Sequence, residues 1–182
     1  GKNIVIISPF FFPEPISTGK FNTDVALKLQ EEGHQVTVLC SHPFYPDWKT
    51  RYSSEKLEGI TIIRGGNKIK YPNKISLRRI VLEIWYALFI LKNIKKHQNK
   101  IDVIIPVFPP SLAFYTASFF IKKEIKKIGI IHDLQIIYSS QKKGLFNKLI
   151  TFFIKRVEKS CFKACDTLIF LCVYILKRDQ FQ

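Results

Sequence analysis

Residues 3–40 run NIVIIS, PFFFPEPISTG, KFNTDVALKLQEEG and HQVTVLC. This order predicts a strand, a long loop, a helix stopped at Gly33, and a second strand. Two strands joined through a helix form a parallel βαβ unit with a right-handed crossover. That unit constrains the rest of the chain, because a parallel sheet must be covered on both faces. It also places a ligand edge, since the long loop leaves the carboxyl end of the first strand, where open α/β sheets bind ligands. The loop ends at Ser17-Thr18-Gly19, where the helix begins. Free N–H groups and the positive dipole end would suit a phosphate or a sugar hydroxyl there.

Aliphatic runs without polar alternation predict strands at 3–8, 34–40, 60–64, 102–107, 127–131 and 166–171. Helices are predicted at 19–32, 75–97, 111–124 and 145–164. The alternation predicts a Rossmann-like, doubly wound α/β domain over residues 1–172, with 173–182 as a tail. A chain of 182 residues has room for one substantial core. With 47% hydrophobic and 24% charged residues, disorder is excluded. The absence of Met makes Gly1 an expected processed end or a cloning remnant. The connection 41–59 is aromatic, Pro-rich and long, which marks functional loops.

The net charge of +15 is clustered. Residues 66–100 hold nine Lys/Arg against one acid, Glu83, and residues 122–163 hold eleven against three acids. Such blocks suit an anionic partner, although Lys-rich solvated surfaces look similar. No apolar run reaches the roughly 18–20 residues needed to span a bilayer. The segment Ile80–Leu91, IVLEIWYALFIL, is apolar almost all round and predicts burial or an interface. The helix at 145–164 is amphipathic, with Lys148, Lys155, Lys159 and Lys163 opposite its apolar arc. It either packs on the sheet or meets anionic lipid with its basic side. No nucleic-acid-binding module is recognisable, so no nucleic-acid partner is expected. Cys40, Cys161, Cys165 and Cys172 lack the partners of a zinc set and are expected as reduced, mostly buried thiols.

The loop Pro9–Gly19 lacks the G-x-G-x-x-G and Walker A spacings, which disfavours a nicotinamide, flavin or P-loop site. It offers a carboxylate (Glu14), two hydroxyls (Ser17, Thr18), Gly19 and a cation (Lys20). Lys20 opposes the helix dipole unless an anion binds between them, or it is a plain surface lysine. His132-Asp133 follows a buried strand, where polar groups point into the ligand crevice. His132 could move a proton and Asp133 orient it, or Asp133 could merely cap a turn. Tyr45, Asp47 and Trp48 lie in the aromatic loop, where rings could stack on a sugar or simply fold the loop down. Ser111 is the predicted N-cap of the helix after the fourth strand.

Four runs together resemble the N-terminal, acceptor-binding domain of glycosyltransferase family 4. They are Phe11-Phe12-Pro13-Glu14-Pro15, Thr18-Gly19-Lys20, Glu32-Gly33-His34-Gln35-Val36-Thr37-Val38, and Pro43-Phe44-Tyr45-Pro46-Asp47-Trp48. The resemblance covers residues 2–172 and is strongest to the colanic acid, O-antigen and capsule branch, the fucosamine-transferase-like group. It implies a GT-B fold, with two Rossmann-like domains across a cleft. It implies metal-independent, cofactor-free, retaining transfer from a nucleotide sugar to a lipid-linked acceptor. By position, Thr18-Gly19-Lys20 would lie near the donor phosphates and acceptor, and His132-Asp133 beside the transferred sugar. The anionic inner face of the cell membrane would be the cytoplasmic location. The family's donor-binding half, with its Glu-x7-Glu motif, does not occur in this sequence. The tail is therefore expected to lead toward a donor-binding domain supplied in cis or in trans, and the chain alone to be inactive. The alternative is a non-enzymatic subunit that binds a membrane surface or a partner.

Overall fold

A computed structural model describes residues 1–132 and 145–171, with side chains from 148 in the second segment. The strands are β1 (Asn3–Ile7), β2 (Gln35–Ser41), β3 (Ile60–Gly65), β4 (Val103–Phe108), β5 (Lys126–Ile131) and β6 (Thr167–Phe170). The helices are α1 (Ser17–Glu31), α2 (Ile75–His97), α3 (Leu112–Ser118) and α4 (Leu145–Ala164), with a 3-10 turn at Gln98–Lys100. All strand pairings are parallel, in the order β3-β2-β1-β4-β5-β6. The sequence-predicted Rossmann-like α/β sheet is the observed fold.

The near-continuous Ile/Val runs are explained by burial on two sides. Ile4, Ile6, Val36, Val38, Val103 and Ile105 form one core with Ala26 of α1. Val5, Ile7, Leu39, Ile104 and Phe108 form the other, beneath α2, α3 and α4. Successive residues of a strand thus enter different cores, as the alternation of side chains across a sheet requires. Tyr86 of α2, fully buried, donates its hydroxyl to the Leu39 carbonyl at 2.7 Å and fixes α2 to the sheet.

The helix expected over 111–124 is cut to Leu112–Ser118, the largest shortening among the described elements. It stops at Ser118, and the Phe120 and Ile121 N–H groups both bond the Ala117 carbonyl. The chain must turn here to enter β5, so Ile121 and Ile125 drop into the core while Phe119 and Phe120 stay outside. Ser111 is the N-cap as expected, but its side chain makes no capping bond. Instead Glu83 of α2 accepts the Leu112 N–H at 3.2 Å, which places a carboxylate on the start of α3.

Candidate functional site

The strand order reverses its direction of travel between β1 and β4, so the crevice lies at their carboxyl ends. Ser8, the first residue past β1, is fully buried and accepts the Asn22 side-chain N–H at 3.0 Å. Asn22 also donates to the Phe10 carbonyl at 2.9 Å. The Phe12 N–H donates to Thr23 Oγ1, which in turn donates to the Gly19 carbonyl. These bonds hold the loop after β1 against the first turns of α1. Gly19 is buried, and a Cβ there would stand 3.2 Å from the Glu14 carbonyl oxygen.

The amino end of α1 is open to an anion. Its N-cap, Ile16, supplies no side-chain acceptor, and its first turn holds no acid. Ser17 and Lys20 are exposed and Thr18 is half-buried, so hydroxyls and a cation surround that end. One helical turn on, the Phe21 ring meets the His132 ring edge-on, with centroids 5.0 Å apart. This contact brings the start of α1 to the end of β5, where His132 donates its main-chain N–H to the Phe108 carbonyl at 3.0 Å. Asp133 lies outside the described residues.

Glu14 does not sit at this edge as an open carboxylate. It is buried and accepts the main-chain N–H groups of Phe44 and Tyr45. Burial raises its pKa, an effect partly offset by those two N–H groups and by Arg51 and Arg64. The expected substrate contact is therefore a brace between the loops after β1 and β2. Arg64, at the end of β3, adds a second brace by donating to the Phe12 carbonyl at 2.6 Å and the Ser41 carbonyl at 3.3 Å.

The aromatic loop also folds onto the domain. Trp48 packs on Phe44 and Tyr71, each 5.1 Å away, and the Arg78 guanidinium lies 4.6 Å from its ring centre. Both Trp48 and Tyr71 border the core beneath α2. Asp47 pairs with Arg51 at 2.8 Å, and this bond holds its carboxyl below the usual range. Arg51 also donates to the half-buried Tyr45 at its carbonyl. The expected sites thus fall into two groups. Ser17, Thr18, Gly19, Lys20 and His132 gather at the crevice, while Asp47 and Trp48 form a loop pinned to the opposite face of the sheet. Glu14 and Tyr45 join the two.

Ser8, Asn22 and Arg64 were not singled out from sequence. Each is a polar residue at the carboxyl end of an aliphatic strand or inside a helix packed on it, which is the signal available for them. Cys40 is fully buried, with its thiol pushed up to about 12, and Cys165 is likewise pushed up to about 12. Cys161 is raised too, so these three are structural thiols without a disulfide, while Cys172 lies outside the described residues. No group of metal-ligating side chains occurs among the described residues. A cavity of about 610 Å³ opens at the other edge of the sheet, beside Asn3, His34 and Lys100, and holds none of the expected site residues.

The sequence matches Glycosyltransferase Family 4 over residues 18–178. The chain belongs to that family. The match begins at the amino end of α1 and includes His132. No curated protein sequence matches the chain. Among solved structures, it is similar to an alpha-glucosyltransferase in complex with UDP and a 13-mer DNA containing a HMU base, with a TM-score of 0.50 and 13% identity. That likeness covers 96% of this chain and supports the family's α/β fold. The chain spans 39% of the length of that glucosyltransferase chain.

Proposed function

We propose that this chain is the acceptor-binding half of a retaining glycosyltransferase. In this reading a sugar passes from a nucleotide sugar to a lipid-linked oligosaccharide of O-antigen or capsule type. The observation that carries it is the uncapped, acid-free amino end of α1 placed beside His132 through Phe21. Helix N–H groups and Lys20 would stabilise negative charge on the departing nucleotide diphosphate, the charge that grows as the glycosidic bond breaks. Thr18 and His132 would hold acceptor or sugar hydroxyls. The His132 ring, in contact with Phe21 one turn into α1, would move a proton at this edge. A donor-binding domain, in cis or in trans, would hold the nucleotide base. The chain alone would then be inactive, and cytoplasmic membrane lipid would surround the acceptor.

The test is transfer of labelled sugar to a lipid-linked acceptor, with this chain joined to or mixed with a family donor-binding domain. Product in the joined form, absent from the chain alone, supports the reading. No transfer in any pairing overturns it and favours the second reading, a non-enzymatic partner-binding subunit.

A further inference from the structure

The outer surface of α2, α3 and α4 is unusual for a helix layer packed on a sheet. The α2 residues Leu82, Tyr86, Ile90 and Ile94 form its buried spine. Residues two places away lie about 200° round a helix, on its opposite side. At those places α2 carries Ile80, Ile84 and Leu88, and Leu88 is 64% exposed. A surface helix ordinarily has polar residues there.

The neighbouring elements continue the pattern. At the end of α3, which packs beside α2, Phe119 is 69% exposed and Phe120 stands 4.0 Å below the Lys95 ammonium. In α4, Val157 and Cys161 of the apolar stripe are buried, but Phe153, one turn earlier, is 59% exposed. Phe152 beside it is 64% exposed. Of the two readings of this helix, packing of the stripe on the sheet describes its second half, while the described side chains before it stay exposed.

The charges on this layer have one sign. Arg79, Lys92, Lys95 and Lys96 are exposed on α2, and Lys148, Lys155, Arg156 and Lys159 on α4. Glu158, the acid of α4, is buried, and Glu83 of α2 is turned toward the start of α3. Exposed Phe, Ile and Leu interleaved with Lys and Arg match the interfacial zone of an anionic bilayer: rings and aliphatic groups enter the acyl boundary, and ammonium groups meet phosphates. A second copy of the chain would bring like charges face to face. No described helix is long and apolar enough to cross a membrane, so the contact is one of lying on the surface.

We propose that the outer face of α2, the Phe119-Phe120 corner and residues 148–156 of α4 form a docking surface for an anionic lipid bilayer. Ile84, Leu88, Phe119 and Phe152 enter the acyl boundary, and Lys92, Lys95 and Lys96 bind the headgroups. None of its named side chains is a residue assigned to the ligand edge, so the proposal does not rest on the proposed transfer reaction.

Sedimentation with vesicles of phosphatidylglycerol and phosphatidylcholine tests this, with phosphatidylcholine alone as the neutral control. The chain is expected to bind the anionic vesicles and to be released by salt. Ile84→Ser/Leu88→Ser and Phe119→Ser/Phe120→Ser should each weaken binding at least tenfold. Lys95→Glu/Lys96→Glu should weaken it at least about twenty-fivefold, at roughly fivefold per lost charge. Circular dichroism melts confirm that these exposed substitutions leave the fold intact. As an independent readout, the emission of Phe119→Trp should shift to the blue on anionic vesicles. Failure to bind anionic vesicles at low salt overturns the proposal. Binding unchanged by both apolar pairs overturns it as well, since that is surface adsorption without insertion. So does loss of a dimer, in place of lipid binding, when these side chains are changed.

Discussion

Glu14 Oε1 accepts the Phe44 N–H at 3.1 Å, from a residue thirty positions further along the chain. This single carboxylate closes the loop after β1 onto the loop after β2. Alanine at Glu14 would leave the buried Phe44 N–H and the neighbouring Tyr45 N–H without their acceptor. Each orphaned donor costs about 1–3 kcal/mol. Glu14→Ala is expected to lower stability by about 2–6 kcal/mol in urea titrations, whereas Glu14→Gln, which keeps one acceptor oxygen, should lose less.

The same residue predicts a pH dependence. Burial raises the pKa of Glu14 above its usual 4.5, so the folded chain holds this proton more tightly than the unfolded chain. The stability it contributes is full below pH 4.5 and is lost as pH rises through the folded value. Glu14→Gln cannot titrate. Wild-type stability relative to Glu14→Gln should therefore fall as pH is raised from below 4.5 through the folded value. A constant difference in paired urea melts would contradict this account.

His42 titrates in the opposite sense. It is buried with its Nδ1 accepting the Ser53 N–H at 3.1 Å, a bond that needs the neutral ring. Burial and then the Arg64 charge lower its pKa below 6.5. Its contribution is present above pH 6.5 and is lost as pH falls through the folded value. His42→Asn keeps an acceptor without the titration. The wild type should lose stability relative to His42→Asn on acidification below 6.5, read by thermal melts across that range.

The fold was legible because its determinants are local and repeated. Ile4 to Ile7 and Val103 to Val107 read as doubly covered strands from composition alone, and Gly33 marks the end of α1. The site was legible only in part. Helix N-terminal hydroxyls at Ser17 and Thr18 follow from the βαβ pattern, and His132 follows from its place after a strand. That Glu14 would turn inward depended on the Phe44 N–H thirty residues away, and that Trp48 would be covered depended on Arg78 of α2. Such pairings arise from tertiary packing and leave no periodic trace. The early end of α3 is of the same kind, since Phe119 and Phe120 have helix-compatible sequence and stop only because the chain must enter β5.

Gly66 allows a separate test of packing against backbone conformation. Its φ is +79°, and a Cβ there would stand 2.7 Å from the Trp85 ring, whose Nε1 donates to the Tyr71 hydroxyl at 2.8 Å. Gly33 also has a positive φ, +85°, but open space around it. Gly33→Ala should cost about 1 kcal/mol, the conformational penalty alone. Gly66→Ala should cost at least about 1 kcal/mol more, because the indole must move. Tryptophan emission should change in the second variant only.

Phe21 and His132 carry the prediction closest to the chemistry. Their rings meet at 5.0 Å, so Phe21 packs on the imidazole from the first turns of α1. If His132 moves a proton in sugar transfer, His132→Ala should lower kcat about 100-fold or more in the joined enzyme. Its melting temperature should stay close to wild type, because His132 is half-buried. Phe21→Ala frees the ring without removing it, so kcat should fall by a smaller factor with KM for the nucleotide sugar little changed. Phe21→Leu, which refills most of the volume, should recover part of that loss. A His132→Ala enzyme with wild-type kcat would remove His132 from the reaction and leave the amino end of α1 as the functional element of this edge.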